Sequence, residues 1–386
     1  MTSSAILSRS ATYEPAGGFG PAVPLPPGAV RLVGGAPATE ALPTAELAAA
    51  FSTALTGATA LQYSVAPGIE PLREWIADHE GTTSDRVLVT NGALHGLSLL
   101  CAALLDPGDV VAVENPTFPV ALRVLAQYGA RVVGVPSSAA GLDLDALERR
   151  LRDGLRIKLL YLIPDFQNPT GATLAAADRA RTVALAERYG FVVVSDNPYR
   201  SLRFAGAALP DLPPASDAVV RVNTFSKTLG PGLRSGWVVA PEWLLPVLTR
   251  LRANVDQHSS LLTQTALAGV LTEPGFFDDV LATGRELYRE RSGALTAALR
   301  SRLGERVAFD EPEGGIFLWL RATQPGLDLV ALRERARALG VEFALGRYFD
   351  PEGNGGHTDR IRLGFSNATG ADIELGVERI AAAWTS

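Results

Sequence analysis

The sequence has a single cysteine, Cys101, so an intramolecular disulfide bond is impossible. This cysteine lies in an apolar run over residues 97–105, where a thiol is most often a small core residue. Histidine is also scarce, since the four histidines are scattered and show no Cys/His spacing typical of a metal site. We therefore expect neither a disulfide framework nor a bound metal.

Long apolar runs and blocks of basic residues are missing too. No apolar run approaches the length of a membrane-spanning helix, and the N-terminus lacks the charged-then-apolar pattern of a signal peptide. The formal net charge is −6, which makes nucleic acid and anionic membranes poor partners. We expect a cytoplasmic protein with no nucleic-acid and no membrane partner.

What the sequence does contain is an ordinary globular composition over 386 residues, 47% of them hydrophobic and 20% charged. That length suffices for one large and one small domain, each with its own core. We expect an N-terminal extension over residues 1–43 that joins the small domain, a large domain over 44–273 and a small domain over 274–386.

Strand-like and helical patterns alternate through the large domain. This alternation is typical of an α/β fold in which a mostly parallel sheet lies between two layers of helices. The predicted strands are 86–90, 109–114, 130–135, 157–163, 191–195 and 218–222, and the predicted helices are 44–55, 69–79, 118–128, 143–152 and 173–189.

The last third of the chain predicts helices first and then a smaller α+β unit. The helices are expected near 241–254, 260–272 and 274–302. The α+β unit is expected to have strands near 306–309, 315–320, 341–344 and 360–364, with helices at 327–339 and 370–384. Near the N-terminus we expect Thr44 to cap the helix that follows it.

Residues suited to ligand binding follow the predicted strands. Gly92, Phe118, Asn168, Asp196 and Lys227 each come directly after a strand or within a few residues of its end. In doubly wound sheets ligands gather at the carboxyl ends of the strands. The order of these residues therefore predicts one site at that edge of the sheet.

Lys227 lies between a small hydroxyl residue, Ser226, and glycine-rich backbone, with Arg234 seven residues further on. The lysine amine can form a Schiff base with an aldehyde, while the hydroxyl and the guanidinium can hold a phosphate dianion. This segment suits an aldehyde-bearing phosphorylated cofactor. This segment alone does not establish a cofactor site, because Ser-Lys is a common dipeptide and most lysines are surface charges.

Nine short motifs occur in a fixed order along the chain. They are Gly34-Gly35-Ala36-Pro37, Gln62-Tyr63, Thr90-Asn91-Gly92, Glu114-Asn115-Pro116-Thr117-Phe118, Phe166-Gln167-Asn168-Pro169-Thr170-Gly171, Ser195-Asp196-Asn197-Pro198-Tyr199, Thr224-Phe225-Ser226-Lys227, Gly232-Leu233-Arg234 and Arg362-Leu363-Gly364-Phe365-Ser366-Asn367.

Together these motifs resemble the fold-type I pyridoxal-phosphate enzymes, specifically the class I/II aminotransferases. The chain looks most similar to the branch of aminoadipate and kynurenine aminotransferases, which also includes the aminotransferase-like domain of MocR-type regulators. The resemblance covers the chain from about residue 30 to its end. It implies pyridoxal 5'-phosphate as the cofactor.

The resemblance also implies roles around the cofactor ring. Lys227 would hold the cofactor as a Schiff base and later move the substrate's Cα proton. Asp196 would pair with the pyridine nitrogen N1, and Asn168 and Tyr199 would hydrogen-bond the phenolic oxygen. Phe118 would stack on the ring face, where many relatives place tyrosine.

A second set would hold the phosphate. It comprises Gly92, the backbone amides of Ala93 and Leu94, the hydroxyl of Ser226 and the guanidinium of Arg234. Many relatives carry Ser-Gln where this chain has Ala93-Leu94, so one side-chain donor to the phosphate is missing while the amides remain.

The remaining implied roles concern the substrate and a second subunit. Arg362 would bind the substrate α-carboxylate through a planar two-point contact that lysine cannot copy. Gly35 and Asn168 would line the same carboxylate pocket. Tyr63 would reach the phosphate in the neighbouring subunit's site, which implies a homodimer.

The function implied is transfer of an amino group between an L-amino acid and a 2-oxo acid in a ping-pong reaction. An alternative is a lyase, cyclase or decarboxylase that uses the same cofactor, since the fold supports those reactions as well. A third reading is a ligand-sensing regulator domain. The N-terminal stretch is too short and too rich in Pro and Gly to form a DNA-binding module, and no basic helix is present.

Overall fold

The structure of the chain is a computed structural model that describes residues 25–213 and 216–385. The predicted N-terminal extension therefore lies outside the described residues as far as residue 24. Residue 386, the end of the predicted small domain, lies outside them as well.

Two sheets and one isolated strand pair make up the β-structure of the described residues. The strands are β1 (Val30–Arg31), β2 (Val87–Thr90), β3 (Val110–Asn115), β4 (Arg131–Ser138), β5 (Gly141–Leu142), β6 (Leu159–Leu162), β7 (Val192–Asp196), β8 (Val219–Thr224), β9 (Gly236–Val239), β10 (Val307–Ala308), β11 (Phe317–Ala322), β12 (Val341–Glu342), β13 (Ala344–Leu345) and β14 (Arg360–Gly364).

Helices separate most of these strands. They are α1 (Thr44–Ala54), α2 (Glu70–Glu80), α3 (Ala93–Leu104), α4 (Pro119–Gln127), α5 (Leu144–Arg152), α6 (Ala176–Tyr189), α7 (Leu245–Val255), α8 (Leu261–Leu271), α9 (Phe276–Leu303), α10 (Leu329–Ala338) and α11 (Gly370–Thr385).

The large sheet has eight strands in the order β2-β9-β8-β7-β6-β3-β4-β5. From β8 through β7, β6 and β3 to β4 all neighbours pair in parallel, whereas β9 and β5 pair antiparallel with their neighbours. The predicted α/β class with a mostly parallel sheet is confirmed. Parallel strands buried on both faces read as continuous aliphatic runs, which is why these segments stand out in the sequence.

Strand β3 shows how both faces of the sheet are covered. Val111 and Val113 join one hydrophobic cluster with Leu97 of α3, while Ala112 joins a second cluster with Leu147 of α5. Successive residues of a strand point to opposite faces, so the sheet lies between two layers of helices.

The carboxyl ends of the strands meet at one edge of the large sheet. Asp196 is the last residue of β7, Lys227 follows β8, Asn168 follows β6 and Phe118 follows β3. Because these four strands are parallel neighbours, their ends lie side by side. The fold thus places one predicted site residue at or just beyond the carboxyl end of each of these four strands.

The C-terminal part contains a four-stranded antiparallel sheet in the order β10-β11-β14-β13. Strand β1, near the N-terminal end of the described residues, pairs in parallel with β12. The long helix α9 packs against α11, which also contacts α10. Arg362 lies in the middle of β14, opposite Trp319 of β11.

Two local predictions are wrong. Thr44 does not cap α1, because it is already the first helical residue and Pro43 occupies the position before it, with no side-chain cap. The strand predicted near 341–344 is two strands, since the chain leaves its pairing with β1 at the buried Phe343 and then pairs with β14.

None of the helices in the described part of the chain combines the length and the apolar character needed to cross a membrane. Within the same residues no group of three or more His, Cys, Asp or Glu side chains is arranged to hold a metal ion.

Candidate active site

A cavity of about 460 Å³ lies at the carboxyl edge of the large sheet. Its walls come from both sheets, because Asp196 and Lys227 belong to the large sheet and its loops, whereas Phe317 and Arg362 lie on β11 and β14. The predicted site residues that line it are Gly35, Ala93, Leu94, Phe118, Asn168, Asp196, Tyr199, Ser226, Lys227, Arg234 and Arg362.

Lys227 ends a short 3₁₀ turn, Phe225–Lys227, directly after β8. Its Nζ atom donates a hydrogen bond to the backbone oxygen of Gly35 at 2.7 Å. Burial lowers the pKa of this amine to about 8. The negative charge of Asp196 opposes this shift, whereas the positive charges of Arg362 and Arg234 act in the same direction as burial. With this pKa, roughly a tenth to a fifth of the amine is neutral near physiological pH, and that fraction can act as a nucleophile or base.

Asp196 is 7% exposed and faces the cavity from the end of β7. Its Oδ2 atom accepts a hydrogen bond from the hydroxyl of Tyr161 at 2.7 Å. The other oxygen, Oδ1, is buried and has no hydrogen-bond partner among the described residues. Burial raises the pKa of this carboxyl to about 6, against the lowering effects of Tyr161 and Lys227.

Asn168 and Arg362 meet across the boundary between the two sheets. The guanidinium of Arg362 donates from Nη1 to Asn168 Oδ1 at 2.6 Å and from Nη2 to the backbone oxygen of Val33 at 2.8 Å. Its Cζ lies 3.9 Å from the ring centre of Phe317 and 4.9 Å from that of Phe349. Two aromatic faces therefore hold the guanidinium plane in place.

Burial explains the pKa shifts of Arg362 and Tyr199 in this part of the cavity. Desolvation lowers the pKa of Arg362 to about 9, and the same cause raises the pKa of the nearby Tyr199 phenol. Tyr199 therefore stays protonated over the working range of pH, so its hydroxyl can donate to an oxygen in the cavity. Its ring lies edge-on to Phe317, 5.9 Å between centres.

The loop after β2 and the loop after β8 form a cradle. Gly92 precedes α3 with φ +89°, and a Cβ atom added there would lie 2.9 Å from Arg234 Nη2. Arg234 Nη2 also donates to the backbone oxygen of Asn91 at 3.0 Å. Ser226 Oγ lies 2.8 Å from Thr224 Oγ1 at the same edge. Backbone amides at a helix start, a hydroxyl and a guanidinium thus converge, as a phosphate requires.

Two predicted residues are not in the cavity lining. Gly92 lies just behind it and shapes the position of Arg234. Tyr63 is 82% exposed and lies elsewhere on the surface, where its ring centre is 6.0 Å from that of His258. A single protomer does not bring Tyr63 to the site.

The sequence interpretation missed several residues of this site. They include Tyr161, which bonds Asp196, and the aromatic pair Phe317 and Phe349 around Arg362. Tyr161 carried a usable signal, since a tyrosine in an otherwise aliphatic buried strand needs a partner for its hydroxyl. The aromatic pair carried none, because it lies on elements far from Lys227 in the sequence.

The arrangement fits pyridoxal phosphate on two independent observations. The buried Oδ1 of Asp196 is a charged acceptor that a pyridine N–H would satisfy. At Gly92 a Cβ atom would press against the guanidinium of Arg234, so the absence of a side chain lets this cation lie beside the start of α3. Residues that could hold the group are therefore Asp196 at the ring, Lys227 at the aldehyde, and Ser226 and Arg234 at the phosphate.

The comparisons with known proteins agree with this chemistry. Residues 30–380 match the family described as "Aminotransferase class I and II". The chain is 36% identical over 361 residues to the 2-aminoadipate transaminase of Thermus thermophilus, covering 92% of this chain and 89% of that protein. It is 32% identical over 367 residues to aromatic-amino-acid aminotransferase 1 of Thermococcus litoralis, covering 91% of this chain and 87% of that protein.

A solved structure shows the same fold. The alpha-aminoadipate aminotransferase of Thermus thermophilus, complexed with N-(5'-phosphopyridoxyl)-L-leucine, superposes with a TM-score of 0.91 at 34% identity, covering 100% of this chain and 98% of that one. Its bound group is a pyridoxal-phosphate derivative of an amino acid. This chain therefore belongs to the class I and II aminotransferases and is an aminotransferase that depends on pyridoxal phosphate.

Proposed function

We propose that the chain moves an amino group from an L-amino acid to a 2-oxo acid in two half-reactions, both in the cavity around Lys227. One observation carries this proposal: a buried amine with a pKa of about 8 shares the cavity with a carboxylate, Asp196, that has one unused oxygen. The guanidinium of Arg362 lines the same cavity and supplies a site for an α-carboxylate.

When bound, pyridoxal phosphate supplies an aldehyde that condenses with primary amines and a cationic ring that accepts the electron pair released at Cα. Asp196 Oδ1 would accept the N1–H of that ring and so keep the ring cationic. Tyr199 and Asn168 would hold the phenolic oxygen, and Phe118 would cover one ring face. Ser226, Arg234 and the first amides of α3 would hold the phosphate.

Lys227 acts as the base once substrate has bound. Its neutral Nζ would take the proton from the substrate's Cα and hold it for return, so that a single side chain would serve as both base and acid. The hydrogen bond from Nζ to Gly35 places the amine beside the segment that also supplies Val33, an acceptor of Arg362. The carboxylate site and the base are thereby fixed relative to each other.

The cavity lining favours substrates with apolar or aromatic side chains. The cations among the described lining residues are Lys227, Arg234 and Arg362, and each already has a role. A second substrate carboxylate would be buried without a cation, which is costly. Apart from Thr224, whose hydroxyl donates to the backbone oxygen of Ser235, the lining side chains that neither hold the cofactor nor contact the α-carboxylate are apolar. They are Val33, Ile163, Pro198, Pro231, Phe317 and Leu94, the last of which stands where many relatives place a polar residue.

This preference can be measured with a panel of amino donors. The relatives are named for 2-aminoadipate and for aromatic amino acids, so both belong in the panel. We expect kcat/KM for phenylalanine and leucine to exceed that for aspartate and 2-aminoadipate by about 10- to 100-fold. The reverse order would point to a cation that the described lining does not contain.

We also propose that two chains form a dimer in which Tyr63 reaches the partner's phosphate site. Three large apolar side chains, Leu61, Tyr63 and Val255, are 65%, 82% and 69% exposed and line one surface depression. Such a contiguous exposed patch is typical of a protein interface. A second copy of the chain is the occupant that also gives Tyr63 a function.

The domain division and the location complete the proposal. Pairing of β1 with β12 supports joining the N-terminal segment to the small domain, with boundaries near 43 and 273. Limited proteolysis tests those boundaries. The cytoplasmic location predicted from the sequence stays a prediction, which cell fractionation with an antibody tests.

A single-turnover experiment tests the transfer itself. Protein loaded with pyridoxal phosphate should release one 2-oxo acid per site from an amino donor, stop, and resume only when a second 2-oxo acid is added. Continuous release of ammonia or carbon dioxide without an acceptor would favour the lyase, cyclase or decarboxylase alternative instead.

A further inference from the structure

We propose that Tyr161 is a positioning residue for this reaction, because its hydroxyl fixes the Asp196 carboxylate so that Oδ1 is left for the ring nitrogen of the cofactor. This inference rests on the role proposed above for Asp196. It adds a residue that none of the nine motifs contains.

Strand register places the two side chains on the same face of the sheet. Strands β6 and β7 run parallel, with Tyr161 opposite Val194. Asp196 is two residues further along β7, so it points to the same side as Val194 and toward the tyrosine. The phenol is long enough to bridge this diagonal, and its oxygen lies 2.7 Å from Asp196 Oδ2.

The hydrogen bond has one possible direction. Tyr161 is 1% exposed, and burial together with the charge of Asp196 raises the pKa of the phenol well above its usual value. The phenol therefore stays protonated and donates, while the carboxylate accepts. A bond from a neutral donor to a charged acceptor stabilises the charged form.

Among the described residues, Tyr161 Oη is the only hydrogen-bond partner of the Asp196 carboxylate. Burial pushes the carboxyl toward its neutral form, and Tyr161 opposes this. A protonated Asp196 could still accept a hydrogen bond, but it would have no negative charge with which to stabilise a protonated N1. The tyrosine thus keeps both the orientation and the charge that the ring needs.

The other ionisable groups near Tyr161 and Asp196 differ in their effect on the charge of the Asp196 carboxylate. Lys227, after β8, favours the charged carboxylate, whereas the phenol of Tyr199, beyond β7, interacts with Asp196 while remaining neutral. Glu114, on β3, influences Tyr161, but burial raises the pKa of that carboxyl to about 8, so it is mostly neutral near pH 7. Arg362 acts on Lys227 and Tyr199 rather than on Asp196.

A plain structural role for Tyr161 makes a different prediction. The ring belongs to the main hydrophobic cluster, and a hydroxyl there needs some partner. If Tyr161 only filled the core, removing its oxygen would affect every ligand of the cavity alike. If it acts through Asp196, only ligands with a ring nitrogen would be affected.

The test uses Tyr161→Phe, which removes one oxygen and keeps the ring, with Tyr128→Phe as the matched control. Tyr128 OH lies 2.8 Å from Ser98 Oγ, and neither residue lines the cavity. The apo-proteins are titrated with pyridoxal phosphate and with its analogue carrying carbon in place of the ring nitrogen. Dissociation constants from fluorescence give a readout that does not depend on turnover.

We expect Tyr161→Phe to weaken binding of pyridoxal phosphate about 10-fold, to leave the analogue unchanged, and to move the acidic limb of the rate–pH profile to higher pH. Tyr128→Phe should change none of these. Equal weakening for both ligands, or none for either, would overturn the proposal.

Two further measurements distinguish a failure of the proposal for Tyr161 from a failure of the role proposed for Asp196 and from misfolding of the variant. If the wild type binds both ligands equally, the role of Asp196 fails, and the proposal for Tyr161 fails with it. Placing 3-fluorotyrosine at position 161 keeps the hydroxyl and makes it a stronger donor. This change should move the acidic limb to lower pH, and a shift in the other direction would contradict the proposal even if Tyr161→Phe did not fold.

Discussion

Lys227 and Gly35 are 192 positions apart in the sequence, yet Nζ of the lysine donates to the glycine backbone oxygen at 2.7 Å. The glycine is required at this contact, because a Cβ atom there would lie 2.9 Å from the ring of Phe317. The segment that follows β1 therefore closes over the amine without a side chain of its own. This relationship keeps Lys227 largely out of water and lowers its pKa to about 8.

The lowered pKa predicts how cofactor capture depends on pH. Only the neutral amine attacks an aldehyde, so the rate constant for covalent capture of pyridoxal phosphate by the apo-protein should rise with pH and level off above about 8. Stopped-flow absorbance measures it. With an exposed lysine the rate constant would keep rising toward pH 10. That behaviour would show that the amine is not buried in solution.

Replacing Arg362 with lysine should impair substrate binding far more than a charge-conserving change normally does. Lysine cannot lie between Phe317 and Phe349 and cannot make two parallel bonds to a carboxylate. We expect kcat/KM for an amino acid to fall about 10- to 100-fold.

Arg321→Lys, an exposed position on β11, is the matched control for this change. A primary amine that lacks the carboxylate is the control substrate, because its slow reaction should be the same in wild type and Arg362→Lys. A similar loss with both substrates would mean that Arg362 does not bind the carboxylate.

The buried Glu114 should make the protein less stable as pH rises. Its Oε2 accepts from the backbone nitrogen of Ile163 at 2.9 Å, and burial raises its pKa to about 8. Between about pH 4.3 and 8 the unfolded chain has lost this proton while the folded chain keeps it. The free energy of unfolding should therefore fall by about 1.4 kcal/mol per pH unit from this group alone.

Glu114→Gln removes the titration and keeps an oxygen for Ile163. In urea unfolding from pH 5.5 to 8, the free energy of unfolding of the variant should rise relative to that of the wild type as pH rises. Parallel curves for the two proteins would mean that Glu114 is charged in the folded state.

The proposed role of Tyr63 in the partner's site can be tested with hybrid dimers. Lys227→Ala and Tyr63→Ala should each impair their own homodimers. In a hybrid of the two, one site has both changes and the other has neither, provided that Tyr63 acts across the interface. We expect such hybrids, purified with two different tags, to recover about half of the wild-type activity. A hybrid as inactive as its parents would place Tyr63 and Lys227 in the same subunit's site.

Much of the large sheet could be predicted from the sequence, because buried parallel strands carry aliphatic runs with few alternatives. The strand ends then located Asn168, Asp196 and Lys227. The bond between Tyr161 and Asp196 could not be predicted, since it depends on the register of β6 against β7. A shift of one residue would turn Tyr161 to the opposite face.

The surroundings of Arg362 were equally out of reach of the sequence. They depend on how the small sheet sits against the large one, which no local pattern encodes. Thr44 shows the same limit at small scale, because the start of α1 shifts by one residue and turns an expected cap into the first helical residue.

The most direct test of the role of Lys227 is to find which residue captures the cofactor. Protein loaded with pyridoxal phosphate is reduced with borohydride, digested and mapped by mass spectrometry, with Lys227→Ala treated in parallel. We expect the wild type to carry one reduced pyridoxyl group, on Lys227, and the variant to carry none and to have lost nearly all turnover. Labelling at Lys158 or at the N-terminus in place of Lys227, or full activity in Lys227→Ala, would contradict that role.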